Sequence, residues 1–177
     1  MNQPLKLLVA LAALVRSGMP AGAESSTNGA ASAPPYVWRN VVMGGGGFVT
    51  GIVFHPRAKN LIYARTDVGG AYRWNEAVQK WIPLTDWLGP ADNNLLGIES
   101  IGLDPSDPQR VYLAAGTYRQ GRAAILRSDN QGETFQLTEV PFKMGGNENG
   151  RFNGERLAVD PNDGGIVFFG SRHDGLW

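Results

Sequence analysis

The side chains able to do chemistry fall into a few segments of this chain. Three are short: Arg65-Thr66-Asp67-Val68-Gly69-Gly70, Gly116-Thr117-Tyr118-Arg119-Gln120-Gly121 and Ser171-Arg172-His173-Asp174. Two are longer: 85–95, with Asp86, Trp87 and Asp92, and 141–153, with Asn147, Asn149 and Arg151. Acids, bases, amides and aromatics in one place suit a polar, neutral ligand such as a carbohydrate, whose rings stack on aromatic faces and whose hydroxyls bond carboxylates. Trp87, Tyr118, Arg172 and His173 are the candidate substrate contacts. Glycosidic hydrolysis needs two carboxylates flanking the bond, one as acid and one as base or nucleophile. Asp67 precedes two glycines that let backbone pack closely beside it, and is a candidate for one of the two. Asp86, Asp92 and Asp174 are its rivals, and a purely structural role for Asp67 stays open. His55 and His173 have no second histidine or carboxylate at ligand spacing, so neither a metal site nor a cofactor is expected. Glycines 44–47 lack the Gly-Lys-Ser/Thr ending of a phosphate loop and read as flexible backbone ahead of the first strand.

These segments need a scaffold that brings them to one rim, and the scaffold is a repeat. Gly51-Ile-Val-Phe-His-Pro56, Ser100-Ile-Gly-Leu-Asp-Pro105 and Arg156-Leu-Ala-Val-Asp-Pro161 open three similar units, their prolines 49 and 56 residues apart. Each continues into a second strand (60–65, 110–115 and 165–170) and a third (70–74, 123–128 and 175–177). The first two units add a fourth, 80–84 and 133–137. Repeats of about 40–50 residues with several short strands each are the signature of propeller blades. The expected fold is therefore all-β, a β-propeller of four-stranded antiparallel blades that stops after about two and a half blades. Antiparallel order puts the loops after each second strand and the long connections between units on one face. The proline-and-aspartate turns after each first strand fall on the other face. There too lies Ser128-Asp129-Asn130-Gln131-Gly132-Glu133-Thr134-Phe135, which resembles the Asp-box hairpin, with Asn130 and Phe135 replacing its usual aspartate and tryptophan. Asparagine can still accept the turn's internal bond, so this hairpin is assigned a structural role.

Composition removes several classes of function. Sixteen basic and sixteen acidic residues give zero formal net charge, which leaves no basic footprint for nucleic acid. The 177 residues contain no cysteine, so disulfides, thiolate metal sites and cysteine nucleophiles are excluded. Residues 1–23 read as a secretory signal: Lys6, an apolar run from Leu7 to Val15, and a small-x-small site at Ala21-Gly22-Ala23. The apolar run is too short to span a bilayer, so export to the extracellular space or periplasm is expected rather than membrane anchoring. Residues 24–35 are a Ser/Ala/Gly/Pro-rich leader, and 36–177 form the propeller segment.

Several runs together resemble the start of a glycoside hydrolase family 74 xyloglucanase. They include Trp38-Arg-Asn-Val-Val-Met-Gly-Gly-Gly-Gly-Phe-Val49, Tyr63-Ala-Arg-Thr-Asp-Val-Gly-Gly-Ala-Tyr-Arg-Trp74, Trp81-Ile-Pro-Leu-Thr-Asp-Trp87 and Pro141-Phe-Lys-Met-Gly-Gly-Asn147. The likeness covers nearly everything after residue 36. It implies two seven-bladed propellers facing each other, xyloglucan in the cleft between them, and inverting hydrolysis of the β-1,4-glucan backbone. In that family the aspartate of Thr-Asp-Ile/Val-Gly-Gly is the general base, which here is Asp67. The general acid comes from the second propeller, which this sequence lacks. Where family members often carry tryptophans after Thr-Asp-Trp, this chain has Gly89-Pro-Ala-Asp-Asn-Asn94, which puts the stacking at some subsites in doubt. A sialidase would need an arginine cluster and a tyrosine nucleophile, and Arg65 and Tyr72 match no such motif. The remaining alternative is an inactive truncated propeller that at most binds polysaccharide.

Overall fold

The computed structural model describes residues 36–177; the expected signal and leader, 1–23 and 24–35, lie outside the described residues. All the strands belong to one unit, residues 39–177. The first four strands, β1 (Val49–Phe54), β2 (Ile62–Thr66), β3 (Ala71–Asn75) and β4 (Lys80–Pro83), form an antiparallel sheet in that order. A second sheet repeats the plan with β5 (Ile98–Leu103), β6 (Val111–Ala115), β7 (Ala124–Ser128) and β8 (Gln136–Glu139). In the third repeat β9 (Leu157–Val159) pairs with β10 (Val167–Phe169). The strand expected over 175–177 is reduced to a single bridge between Gly170 and Leu176.

The registers of the first two sheets coincide. Gly51 faces Arg65 as Ser100 faces Ala114, and both first strands shift register by one residue just before, at Val49/Gly51 and Ile98/Ser100. A bulge of this kind re-aims side chains at the rim of a sheet. Here it frees Thr50 and Glu99 from the ladder on the face that carries Asp67. The second strands are buried on both sides: Tyr63 and Ala64 of β2 and Val111 to Ala115 of β6 are apolar or small, and β2 ends on buried Arg65 and Thr66. The outer strands β4 and β8 are largely exposed. One core fills the space between the first two sheets around Tyr63, Leu95, Ile98, Leu113 and Leu126. A second, around Tyr112, Met144, Leu157 and Phe169, joins the second sheet to the third.

Two sequence expectations are corrected. The connection 85–95 is not a bare loop, because Pro90–Leu96 forms a 3₁₀ helix. Proline at its start supplies a helical φ without needing a hydrogen bond there, and fully buried Leu95 anchors it, worth about 2 kcal/mol of apolar burial. Nor are glycines 44–47 loose backbone. A Cβ at Gly45 would stand 1.8 Å from the Tyr72 hydroxyl oxygen, and one at Gly47, whose φ is +97°, would stand 3.1 Å from Asp67 Oδ1. Glycine is needed there because the chain lies flat against the Asp67 loop. Among the described residues no helix is long and apolar enough to cross a membrane.

Candidate active site

Asp67 follows β2 in a turn that closes on itself. The Thr66 hydroxyl accepts the Gly69 N–H at 2.8 Å and donates to the Gly70 carbonyl at 2.9 Å, so 66–70 is fixed as one unit. Gly69 lies so close to Gly46 that a Cβ would reach within 1.9 Å of its carbonyl oxygen. Asp67 and Phe48 exchange bonds: the Phe48 N–H donates to Asp67 Oδ1 at 2.7 Å, and the Asp67 N–H to the Phe48 carbonyl at 3.1 Å. The second carboxylate oxygen, Oδ2, lies 3.5 Å from Arg151 Nε, and the Asp67 side chain is 9% exposed. One oxygen is thus pinned by backbone, and the other faces only a cation.

Beneath this turn lies a buried ionic spine. Arg65 is fully buried, and its guanidinium donates to Glu155 Oε1 at 2.6 Å, the Thr50 hydroxyl at 2.8 Å and the carbonyls of Arg151 and Gly154 at 3.0 and 3.1 Å. Glu155 turns its other oxygen to the Ser100 hydroxyl at 2.7 Å and to the Ile101 N–H. Ser100 Oγ in turn accepts the N–H groups of Arg156 and Leu157. A buried charge is tolerated only when paired and hydrogen-bonded, and here each donor has an acceptor. Glu99 does the same one sheet over. It accepts Arg172 Nε at 2.6 Å, pairs with Arg156 at 3.2 Å, and takes the Gly145 N–H. Arg172 also donates to the Asn149 carbonyl, which leaves its buried Nη2 without an acceptor.

Tyr118, Arg172 and His173 line one depression of about 720 Å³, together with Asn147, Glu148 and Arg156. Asn94, from the 3₁₀ helix, brackets Tyr118: its Nδ2 donates to the Tyr118 carbonyl and its Oδ1 accepts the Tyr118 N–H. The Tyr118 hydroxyl accepts from Asn147 Nδ2 at 2.9 Å while the residue stays 49% exposed. A smaller recess of about 310 Å³ links Tyr118 to Val68, the residue next to Asp67. Trp87 lines neither. Its ring stacks on Phe135 at 6.3 Å and its indole N–H is spent on the Leu84 carbonyl, although half the side chain is exposed.

Of the rival carboxylates, Asp92 is paired with Arg122, and Asp174 Oδ2 accepts the Lys143 N–H at 3.0 Å. Asp86 is exposed; it raises the Tyr72 phenol above its ordinary value, second to burial of that ring. Burial likewise pushes Tyr63 up to about 12. Among the described residues no group of three His, Asp or Glu side chains could hold a metal ion.

Glu99, Glu155 and the pairing role of Arg151 escape the sequence reading. A signal for the glutamates does exist: Thr50, Glu99 and Glu155 each stand six residues before the proline that closes the first strand of their repeat. In the first two repeats that position is the bulge, and in the third it lies two residues ahead of the strand, so a glutamate there projects toward the loops rather than into the ladder.

No family model matches this chain. It is 53% identical over 176 residues to a protein named xyloglucanase from Paenibacillus sp, an alignment covering 96% of this chain and 17% of that protein. To the oligoxyloglucan-reducing end-specific xyloglucanase of Emericella nidulans it is 54% identical over 142 residues, 80% of this chain and 18% of that one. The crystal structure of the family 74 xyloglucanase from Xanthomonas campestris superposes with a TM-score of 0.73 at 60% identity, covering 81% of this chain and 21% of the other. The chain therefore spans about a fifth of the length of the relatives it matches.

Proposed function

We propose, for a chain that belongs to glycoside hydrolase family 74, that its residues supply the general base and part of the substrate cleft of a secreted, inverting, xyloglucan-cleaving hydrolase. The observation that carries this reading is the setting of Asp67. Its carboxylate is held by backbone on one oxygen and lies on the loop face, in a Thr-Asp-Val-Gly-Gly turn too rigid to move it. In this role Asp67 Oδ2 takes a proton from the attacking water as the water adds to the anomeric carbon. A general acid on the other side of the bond protonates the leaving oxygen. Inverting sites keep the two carboxyls about 6.5–9.5 Å apart to admit that water. Asp92 and Asp174 are committed to other partners and Asp86 is exposed; the family resemblance implies that the acid comes from a facing propeller, with 36–177 as blades of the first. Tyr118, Arg172 and His173 contact the glucan in the depression they line, and Trp87 contacts it with the exposed half of its ring.

The test uses an enzyme in which 36–177 replace the matching fifth of the Xanthomonas campestris protein. Asp67→Ala is expected to lower xyloglucan turnover about 10²–10⁴-fold with the fold retained, the usual value of a positioned base. Turnover near that of the parent chimera removes Asp67 from the mechanism. Export is checked separately, by mass spectrometry of secreted material: a mature N-terminus at Glu24 is expected, and retention of Met1 inside the cell refutes it.

A further inference from the structure

We infer that Arg151 is a positioning residue for the Asp67 carboxylate, an inference that rests on the general-base role proposed above. Arg151 belongs to the long connection between the second and third repeats, and three contacts hold it over Asp67. Its N–H donates to the Glu148 carbonyl at 3.1 Å, within a local turn. Its carbonyl accepts from the buried Arg65 guanidinium at 3.0 Å, which ties the loop to the strand that ends at Asp67. Its own guanidinium lies over the Phe48 ring, 5.7 Å from the centroid.

Phe48 closes the arrangement, because its N–H is the donor to Asp67 Oδ1. The carboxylate is thereby gripped at opposite ends: Oδ1 by a backbone N–H, Oδ2 by Arg151 Nε at 3.5 Å. The two grips are themselves held together by the cation–π contact, so rotating the carboxylate plane gives up both at once. Among the described residues Nε is buried with no hydrogen-bond acceptor, and Asp67 Oδ2 is its one ion-pair partner. At 3.5 Å the contact is electrostatic and loose, which leaves Oδ2 with lone pairs to take a proton from water. A fork-shaped cation stacked on an aromatic ring keeps its direction, whereas a flexible ammonium does not. Arginine thus fixes the plane of the base without occupying Oδ2 in a short hydrogen bond.

Misplacing a reacting group by about 1 Å can cost about 10²-fold in rate. In the chimeric enzyme, Arg151→Met is therefore expected to lower kcat about 10–10²-fold while KM stays within about twofold, and Arg151→Lys to recover part of the loss. In the Asp67→Ala background, Arg151→Met should cost less than about twofold further, since nothing is left to position. An unchanged kcat in Arg151→Met overturns the inference. So does an equal loss in the Asp67→Ala background, which would make Arg151 a prop for the fold. If Asp67→Ala itself turns over xyloglucan normally, the general-base reading fails first, and the two failures are told apart. Should the methionine variant unfold, Arg151→Gln and Arg151→Lys are compared instead. Equal kcat values for those two, both at the parent level, overturn the inference as well.

Discussion

On the face that carries Asp67, most polar side chains find their partners far along the chain; on the opposite face most find them next door. Arg65 reaches Glu155, 90 residues away, and the Arg151 carbonyl, 86 away, while Arg172 reaches Glu99 across 73. On the turn face, Asp104 accepts from Ser106, two residues on, Asp160 from Asn162 and Asp163 from Gly165, each two apart. Ser128, Asn130 and Thr134 close their hairpin within four residues. Local closure makes a turn that folds alone and survives sequence change around it. Distant closure makes a rim whose geometry exists only once three repeats have packed, and a site that must hold a carboxylate still needs that rigidity.

The sharpest way to break the contrast is to remove Arg65. Arg65→Met takes the buried guanidinium away from Glu155 and the Thr50 hydroxyl and frees the carbonyls of Arg151 and Gly154. Glu155 itself stays solvated, so the loss is that of a buried guanidinium's hydrogen bonds, about 1.5–3 kcal/mol. Chemical denaturation should show a loss of that size, with protease cutting first in 141–156. A loss under about 1 kcal/mol would mean that the spine is solvated in solution and holds nothing.

A smaller effect separates two glycines near the site. Gly69→Ala drives a Cβ to within 1.9 Å of the Gly46 carbonyl oxygen, a backbone atom that cannot swing away, whereas Gly46→Ala meets nothing within 4 Å. Overpacking of this kind costs about 1–3 kcal/mol, while a surface change usually stays within about 0.5 kcal/mol. Denaturant midpoints of the two variants measure the difference. Equal midpoints would show that the glycine run does not lie against the Asp67 loop.

The contrast between faces also decides what the sequence makes legible. The repeat, the antiparallel order and the turns at Pro56, Pro105 and Pro161 can be read directly, because each depends on residues close together in the chain. Asp67 is legible as a candidate because its own turn is local. Its partner Arg151 is not, because 141–153 has no periodicity to say which side chain returns to the first repeat. Glu99 looks like an ordinary strand residue until the bulge turns it toward the loops, and Glu155 gives no sign that it reaches back to Arg65. The 3₁₀ helix is hidden among turn-forming residues and depends on Leu95 finding the core between two sheets.

A pH titration probes the turn face where it is most charged. Burial pushes the Asp104 carboxyl up, but bonds from the Ser106 hydroxyl and N–H, the Asp107 N–H and the Arg110 guanidinium outweigh it and hold it below the usual carboxylate value. A carboxylate lowered in the folded state stabilises fully above its unfolded value of about 3.9, and that stability is lost as pH falls through the folded value. Stability should therefore drop on acidification below about pH 4, and Asp104→Asn should flatten that drop while lowering stability at neutral pH. An unchanged acid limb in Asp104→Asn would assign the acid sensitivity to other carboxylates, such as Asp129, which is lowered by Arg110 and Arg127.

The smallest effect comes from Asn130 and tests how self-contained a turn on this face is. Its Oδ1 accepts from the Ser128 hydroxyl at 2.8 Å and the Thr134 N–H at 2.9 Å, and its Nδ2 donates to the Thr134 hydroxyl at 2.9 Å. Asn130→Ala removes all three, but the turn keeps its bond from the Gly132 N–H to Ser128 Oγ and is open enough for water to replace the rest. The net loss should be about 1 kcal/mol, the worth of one typical hydrogen bond rather than three. Asn130→Asp keeps the two acceptances, and the Thr134 hydroxyl can reverse to donate, so the stability change should stay within about 0.5 kcal/mol. The neighbouring Asp129 adds a like charge, which Arg110 and Arg127 already offset by pairing with it. Thermal melts of both variants decide the matter. A loss above about 2 kcal/mol for Asn130→Ala would show that the hairpin is held through the Phe135–Trp87 stack, and therefore depends on distant packing much as the Asp67 face does.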